Sequence, residues 1–546
     1  MTIKKFILLG FMCILLIATY SCSNNNEYTQ NSDDTYTGII DTTTNITSAE
    51  IVIDDSEIEI NEPSQEPSII DVWDGSISLG YAGGKGTEDD PYMIEKASQL
   101  AFMAYQVNNG DAYKNMYFIL NNDLDLNNIE WIPIGRYKYE NYKDINLPFA
   151  GYFDGNNKKI YNLQIIDENN KWAGLFGNLY EATIKNINIG SGEVVITDDY
   201  AYAGGICAIA RFSKISACTN DAKVTGSAYT GGIVGDIYNN SQIDNCINYG
   251  TITSYGTSYN KNDVRVSGDT GGIAGSALSI SISNCANYGY IYDYSEEKSS
   301  IGGTGGIVGG GGNCTSCTNY GVVYGISKVG GIAGSGSSNY CFNYDVVSGK
   351  TYVGGIIGRG GAYNSANLGE ITGIENVGGI CGGDNSIIKE CFNYGDVAGQ
   401  INTGGIVGDD SSVYNSFNVA NVSGKEYTGG IIGNNFTSRI YGQTIESCYN
   451  IGNIVSDYIT GGIAGISDER CKYINCYYSN TSANNDIAYG ENSYKSISAN
   501  ISEMKTEMFC SLLNNGTDIW LWNELINEGL PILNWSYYFF DSPNNQ

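Results

Sequence analysis

Four aspartates follow glycine-rich motifs and are the residues best placed for carboxylate chemistry: Asp236, Asp384, Asp409 and Asp410. Two carboxyl groups at a defined separation can cleave glycosidic bonds. Because all four follow one kind of motif, we expect them to share an edge of the fold. Lys and Arg are scattered, however, and form no basic stripe that would hold a polyanion. A polysaccharide lyase or hydrolase is therefore the least favoured of our hypotheses, and we predict no enzymatic activity.

Histidine is absent from the chain. This excludes a Ser-His-Asp triad, a Cys-His pair and an H-E-x-x-H zinc site. Cys314 and Cys317 have C-x-x-C spacing, but without a second pair they make a poor zinc site. We predict no metal site and no cofactor. The formal net charge of −31 also argues against nucleic acid as a partner.

Most cysteines occupy a single position of a sequence repeat, which serine also fills at Ser365 and Ser416. The cysteines at this position are Cys218, Cys246, Cys285, Cys317, Cys341, Cys391, Cys448 and Cys476. Buried cysteine behaves as a small apolar residue, so a ladder of free thiols is the simpler interpretation. Disulfide bonds, common in extracellular proteins, are the alternative.

Five tyrosines recur three residues after the cysteine position and are candidate ligand-facing residues: Tyr249, Tyr288, Tyr320, Tyr344 and Tyr394. They alternate with the residues predicted to point inward, so they should face outward. A stacked aromatic stripe could bind sugar rings, whereas packing between tyrosines of successive repeats is the simpler reading.

The element that carries these residues reads Cys-x-Asn-Tyr-Gly-x-Ile at its fullest, as at residues 246–252. Cys, Asn, Gly and Ile fall at alternate positions, which is the pattern of a β-strand with one buried side. Stacked copies would form an asparagine ladder in which each amide donates to the next carbonyl. The predicted ladder comprises Asn248, Asn287, Asn319, Asn343, Asn367, Asn393, Asn418 and Asn450.

A second element, Gly-Gly-Ile-Val-Gly at residues 231–235, returns at Gly271, Gly305, Gly330, Gly354, Gly378, Gly404, Gly429 and Gly461. The shortest separations are 24 to 26 residues, which is the signature of a repeat architecture. Glycine pairs suit corners that need positive φ or close backbone approach. The repeats therefore predict an all-β fold: a parallel, right-handed, three-faced β-helix of about eleven coils.

Other segments flank the repeats. We assign residues 83–166 to a small α+β N-terminal capping module, 167–480 to the solenoid and 481–546 to a C-terminal cap. In the first module, Ala97, Leu100, Ala101 and Ala104 share a helical face. In the last, Trp520, Trp522 and Trp535 are expected to pack as one cluster.

The Gly-Gly-Ile-Val-Gly element resembles the GLUG motif of bacterial surface proteins, which occurs in adhesin-like proteins and in non-catalytic parts of immunoglobulin-A-cleaving metalloproteases. The resemblance covers roughly residues 85–480. It implies a surface location and a binding or scaffold role. Protease activity is not implied, because the zinc motif is missing together with every histidine.

The N-terminus resembles that of a secreted lipoprotein. Lys4 and Lys5 precede the apolar run Phe6 to Ala18, and Cys22 stands where a lipobox cysteine is diacylated. We thus read 1–22 as a signal peptide with lipidation at Cys22, and the acidic segment 23–82 as a disordered tether. The prediction is an envelope protein that contacts the membrane through its lipid and binds a host or environmental glycan or protein. A passive envelope spacer is the alternative.

Overall fold

The structure is a computed structural model that describes residues 70–541, apart from 141–142, 167–170, 197, 199, 257–267, 296–301, 385, 437–441, 459, 484–486 and 490–495. The described residues belong to one compact unit, Ser68–Gln546. The predicted signal peptide with Cys22, and residues 23–69 of the predicted tether, lie outside the described residues. Residues 70–82, which we expected to be disordered, are ordered instead, because Trp73 is buried against Trp131.

The predicted parallel β-solenoid is confirmed, with about twelve turns. Each full coil contributes to four parallel sheets, which we call strips 1 to 4 in chain order. We predicted three faces; the fourth strip exists because the chain bends at the second glycine of each pair and the residue after it, as at Gly205–Ile206. This bend separates the strand before it from the strand after it. Strips 1 and 4 have eleven strands each, in agreement with the predicted coil number.

Strip 1 ends at the first glycine of each pair. The second glycine lies against the next coil: a Cβ on Gly232 would be 2.2 Å from the Gly272 carbonyl oxygen and 2.3 Å from Asn248 Oδ1. Close backbone approach, rather than positive φ, therefore explains the pair. The strands of strip 1 are Trp172–Ala173, Tyr202–Gly204, Tyr229–Gly231, Asp269–Gly271, Thr304–Gly305, Ser327–Gly330, Thr351–Gly354, Glu375–Gly378, Ile401–Gly404, Glu426–Gly429 and Thr460–Gly461.

Strip 2 follows the glycine pair and is divided in two in most coils. Its inward residues are mainly Ile, Val and Ala, such as Ile243 and Ile282, which pair in register. Its strands are Tyr92–Ile94, Tyr117–Leu120, Tyr152–Asp154, Phe176–Tyr180, Thr183–Lys185, Cys207–Arg211, Lys214–Ser216, Val234–Tyr238, Gln242–Asp244, Ala274–Ser276, Ser281–Ser283, Val308–Gly310, Gly312–Thr315, Ala333–Asn339, Ile357–Tyr363, Cys381–Gly383, Ile387–Lys389, Val407–Asp409, Ser412–Tyr414, Ile432–Asn435, Thr444–Glu446, Ala464–Ser467, Lys472–Ile474 and Ile487–Tyr489.

Strip 3 carries the repeated asparagine. Its short strands are Leu124–Asp125, Lys159–Tyr161, Asn188–Ile189, Thr219–Asn220, Ile247–Asn248, Ala286–Asn287, Thr318–Asn319, Phe342–Asn343, Ala366–Asn367, Phe392–Asn393, Phe417–Asn418, Tyr449–Asn450, Tyr477–Ser479 and Ile497–Ala499. Strip 4 closes each coil with a buried Val or Ile, and its strands are Leu163–Ile166, Gly192–Val195, Lys223–Gly226, Ile252–Ser254, Ile291–Asp293, Val323–Tyr324, Val347–Ser348, Ile371–Thr372, Val397–Ala398, Val422–Gly424 and Ile454–Ser456.

The N-terminal module begins the same ladders. Helix α1 (Ala97–Asn108) buries the predicted alanine and leucine face. Tyr117–Leu120 pairs with Tyr152–Asp154, which pairs in turn with Thr183–Lys185. The solenoid ladders therefore start before residue 167. An antiparallel hairpin, Arg136–Glu140 with Lys143–Leu147, is inserted here.

Residues 501–540, which we call the C-terminal segment, contain helices α2 (Ile501–Met504), α3 (Glu507–Asn514) and α4 (Tyr537–Phe540) and the hairpin Trp520–Leu521 with Ile532–Leu533. Thr506 caps the N-terminus of helix α3, because its hydroxyl accepts a hydrogen bond from Phe509 N at 3.2 Å. The three predicted tryptophans do belong to one hydrophobic cluster, but this cluster also contains outward residues of strip 3 from several coils. The segment predicted to form an end cap therefore packs along the side of the solenoid.

No helix among the residues that the structure describes combines the length and the apolar character needed to cross a membrane.

Candidate functional site

A column of stacked tyrosines lies on the outward side of strip 3. The ring centroids are 5.2 Å apart for Tyr249 and Tyr288, 4.7 Å for Tyr288 and Tyr320, and 5.0 Å for Tyr320 and Tyr344. The backbone fixes this spacing, because Tyr288 N donates to Asn248 O at 2.8 Å and the other coils repeat the bond. The exposed fractions of the four side chains fall from 49% at Tyr249 to 37% at Tyr344.

Ring orientation decides what this column can bind. Planes of neighbouring rings differ by only 11° to 16°, so each ring covers a face of the next. Solvent then meets mainly ring edges and phenol hydroxyls rather than a row of flat platforms. Burial raises the pKa of Tyr344 to about 12, so its hydroxyl remains a neutral donor and acceptor. The column therefore suits a ligand that contacts edges and hydroxyls.

Tyr394 does not belong to the exposed column. Leu368 occupies the intervening coil and is partly buried against the hydrophobic cluster of the C-terminal segment. The Tyr394 hydroxyl donates to Asn527 Oδ1, and its ring lies 5.7 Å from that of Phe540. The C-terminal segment thus covers Tyr394, and our prediction that it faces a ligand is wrong.

A second group of tyrosines, which the sequence analysis missed, lies on strip 4 and its corners. It comprises Tyr255, Tyr290, Tyr292, Tyr294 and Tyr324, whose neighbouring centroids are 5.9 to 6.2 Å apart. The signal was present as alternating tyrosines at 288, 290, 292 and 294. Tyr255, Tyr290 and Tyr294 are at least half exposed. The four column residues and these five together form what we call the tyrosine face.

The asparagine ladder lies in the interior beneath the tyrosine column, because each column tyrosine directly follows a ladder asparagine. Asn248 Nδ2 donates to Asn287 Oδ1 at 2.9 Å, and Asn287 repeats the bond to Asn319 at 2.8 Å. The bonds continue through every predicted member to Asn450, and Asn220 adds one rung before them. Each Nδ2 also donates to the carbonyl two residues later, as from Asn287 to Gly289. This fully bonded ladder holds successive coils in one register.

The predicted thiol ladder also lies in the interior. All thirteen cysteines in the described part of the chain are free and buried. The sulfurs of the eight ladder cysteines donate to carbonyls two residues earlier, as from Cys246 to Asp244 at 3.4 Å. Burial raises the pKa of Cys391 to about 12, so this thiol does not ionise at neutral pH.

The four aspartates that follow the glycine motifs are not gathered at one site. Asp236 and Asp409 share the outward side of strip 2, but Ser276, Gly310, Ser335, Arg359 and Gly383 separate them in successive coils. Asp384 forms an ion pair with Arg359 instead.

Asp236 has a different carboxylate neighbour. Burial, and to a lesser degree the charge of Asp269, raises the pKa of Asp236 to about 6. Asp269, which the sequence analysis did not single out, is 9% exposed and accepts a hydrogen bond from Gly303 N at 2.8 Å.

Two proteins and one solved structure are similar to parts of this chain. Halomucin of Haloquadratum walsbyi is 27% identical over 180 residues, which are 30% of this chain and 2% of halomucin. A candidate Gly-rich membrane protein of Evansella cellulosilytica is 28% identical over 127 residues, which are 23% of this chain and 14% of that protein. The chain thus spans a small part of both relatives.

The solved structure is that of a candidate immunoglobulin A1 protease from Bacteroides ovatus. It covers 84% of this chain and 96% of its own, with a TM-score of 0.31 and 18% sequence identity. No family model matches the chain.

Proposed function

We propose that this chain is a lipid-anchored protein of the bacterial cell surface that binds an external ligand through the tyrosine face. The observation that carries the proposal is the gathering of exposed aromatic rings on neighbouring outward positions of consecutive coils. Extended exposed patches of this kind mark interaction sites. Tyrosine is also a favoured interface residue, because it offers a large contact area at low entropic cost.

The tyrosine face favours a binding role over that of a passive spacer. A spacer needs only the interior ladders, which are complete without any outward tyrosine. Exposed aromatic surface is an aggregation liability when it has no function. The face therefore supports an adhesin-like or ligand-binding protein of the GLUG-motif type.

The surface location is supported by two independent observations. The N-terminal sequence has a basic start, an apolar run and Cys22 at the lipobox position. One relative is described as a membrane protein. Two signals usually anchor a protein stably, and a diacylated cysteine supplies two acyl chains.

A glycan array probed with the full mature chain tests ligand binding, with product release assayed on each polysaccharide that binds. We expect binding without cleavage, weakened about tenfold or more by the double variant Tyr288→Ser/Tyr320→Ser, since clustered aromatic anchors dominate interface energies. Tyr538→Ser is the matched control, because Tyr538 is 83% exposed and lies outside the tyrosine face.

The other outcomes are equally informative. Binding that survives the double variant would move the site away from the tyrosine face. Cleavage would contradict the non-enzymatic reading and direct attention to Asp236 and Asp269, because a carboxyl with a raised pKa beside a second carboxylate is a typical acid catalyst. An absence of binding to every glycan on the array would favour a spacer or a protein ligand.

Fractionation of cells that express Cys22→Ser tests the anchor. The natural chain should sediment with membranes and incorporate a labelled fatty acid, whereas the variant should do neither. Unchanged sedimentation and labelling in the variant would contradict lipidation at Cys22.

A further inference from the structure

A groove with a different construction crosses the first coils of strip 2, far along the chain from the tyrosine face. One wall is formed by Tyr117 and Tyr152, and the other contains Asp154 and Lys185, with Glu88 at one end and Thr183 at the other. Its floor is the strand backbone around Phe118 and Phe153, which pair in register. We call it the Tyr152 groove.

The aromatic wall offers an open ring face, which the tyrosine column lacks. Tyr117 and Tyr152 stack with centroids 4.3 Å apart and planes 6° apart, so they cover one face of each other. On the opposite side of Tyr152 the residue in register is Thr183. A threonine side chain is too short to cover a phenol ring, and Tyr152 is 38% exposed. One ring face of Tyr152 is therefore open, and it points along the coils, over Thr183.

The polar wall presents an acceptor beside a donor. Asp154 Oδ1 is occupied by hydrogen bonds from Asn156 N at 2.8 Å and Asn186 Nδ2 at 2.9 Å. Asp154 Oδ2 lies 3.0 Å from Lys185 Nζ, and the Lys185 side chain is 51% exposed. Burial raises the pKa of Asp154, but the bonds from Asn186 and Asn156 and the Lys185 charge outweigh it and leave the pKa below its ordinary value. The carboxylate is thus charged at neutral pH and accepts hydrogen bonds only.

An open aromatic face beside a paired carboxylate and ammonium matches the surface of a sugar. The ring C–H groups of a pyranose pack on an aromatic face, and adjacent hydroxyls donate to a carboxylate and accept from an ammonium. The groove contains two carboxylates, Glu88 and Asp154, against the single ammonium of Lys185, so a polyanion would be repelled. We propose that the Tyr152 groove binds a neutral oligosaccharide that lies along the coils.

Calorimetric titration of the full mature chain tests this proposal, with cellohexaose, xylohexaose, mannohexaose and chitohexaose as neutral probes and oligogalacturonate as the acidic probe. We expect at least one neutral probe to bind at millimolar concentration or below, and the acidic probe not to bind. Thr183→Tyr should weaken binding without loss of thermal stability, because a tyrosine there would cover the open face of Tyr152 and leave its own open face one coil farther from Asp154.

A second variant guards against an unexpected distortion by Thr183→Tyr. Lys185→Met should weaken binding about three- to tenfold, since it removes one hydrogen bond to a charged group. Lys223→Met is the matched control, because Lys223 is an exposed lysine on strip 4 and lies outside the groove lining.

Three results would overturn the proposal: no neutral probe binds, only oligogalacturonate binds, or both groove variants bind as tightly as the natural chain. Loss of binding in Tyr288→Ser/Tyr320→Ser alone would place the sugar on the tyrosine face instead. That outcome would support the proposed function while contradicting the groove, so the two proposals fail separately.

Discussion

The outer side of strip 3 has two halves that differ in what lies against them. In the free half, the residue between the cysteine position and the ladder asparagine is Ile247, Ala286 or Thr318, and the tyrosine column stands beside it in solvent. In the covered half, the same position holds the aromatic residues Phe392, Phe417, Tyr449 and Tyr477, and the C-terminal segment packs over them.

The asparagine ladder is the same in both halves. Asn287 and Asn393 make equivalent ladder bonds of 2.8 Å to the next coil. The coil is therefore set by its inward residues, and the outward residues decide whether a stretch of solenoid meets solvent or another part of the chain. In the covered half Phe417 stacks on Phe392 and Tyr449 and meets Trp520 at 5.9 Å.

The largest expected effect tests this difference on the outer side. Phe417→Ala should lower the free energy of unfolding by about 3–5 kcal/mol, because it empties a fully buried aromatic site. Tyr320→Ala in the free half should cost about 1 kcal/mol, since only ring stacking at a partly exposed site is lost. Urea unfolding of both variants measures the contrast. Equal losses would show that the C-terminal segment contributes little to the covered half.

More of the fold than of the candidate site could be predicted from the sequence. Repetition of Cys, Asn, Gly and Ile at alternate positions fixed the strand, its buried side and the ladder, because these depend on one coil meeting its own copy. The course of the C-terminal segment depends on contacts between residues such as Trp520 and Phe417 that are far apart in sequence. The sequence carries one sign of this packing: the repeat position that holds Ile247 or Thr318 in the free half holds Phe392 or Phe417 in the covered half.

The ring orientation of the tyrosine column was also beyond the sequence pattern. Alternation predicts that Tyr288 and Tyr320 point outward, but it does not distinguish rings that offer their faces from rings that cover each other. The Tyr152 groove was not predicted for a related reason. Tyr152, Asp154 and Lys185 come together only through the register between coils.

A second prediction concerns the shared interior. Asn287→Ala and Asn393→Ala should each cost about 2–4 kcal/mol, because each removes the buried hydrogen bonds to the asparagines of both neighbouring coils and to the glycine two residues later. The two losses should agree within error if the interior is the same in both halves. Urea unfolding again gives the values. A markedly smaller loss for Asn287→Ala would mean that free coils can relax around the defect.

A third prediction uses pH and one carboxyl from each half. Burial is the main cause that raises the pKa of both Asp236 and Asp409 to about 6, from the ordinary value of 3.8. When folding raises the pKa of a carboxyl, the protonated carboxyl stabilises the folded state. This contribution is complete below pH 3.8 and is lost as the pH rises through 6.

The free energy of unfolding of the natural chain should therefore fall between about pH 4 and pH 7. Asp236→Asn and Asp409→Asn should each make this fall smaller by about 1 kcal/mol, a value that allows for partial solvent screening. Thermal unfolding at several pH values measures this loss. Both carboxyls lie on strip 2, away from the C-terminal segment, so the halves should respond alike. An opposite sign in either variant would contradict the burial of that carboxyl.

The smallest effect is expected at the thiol ladder. Ser365 and Ser416 already occupy this position, and their hydroxyls donate to the carbonyls of Tyr363 and Tyr414 at 2.7 and 2.8 Å. Cys246→Ser in the free half and Cys391→Ser in the covered half should therefore stay within about 0.5 kcal/mol of the natural chain, since each serine finds the same carbonyl two residues earlier. Urea unfolding under reducing conditions is the measurement. A larger loss for Cys391→Ser than for Cys246→Ser would show that the packed outer side restricts how the interior accommodates a shorter side chain, and the two halves would then differ inside as well as outside.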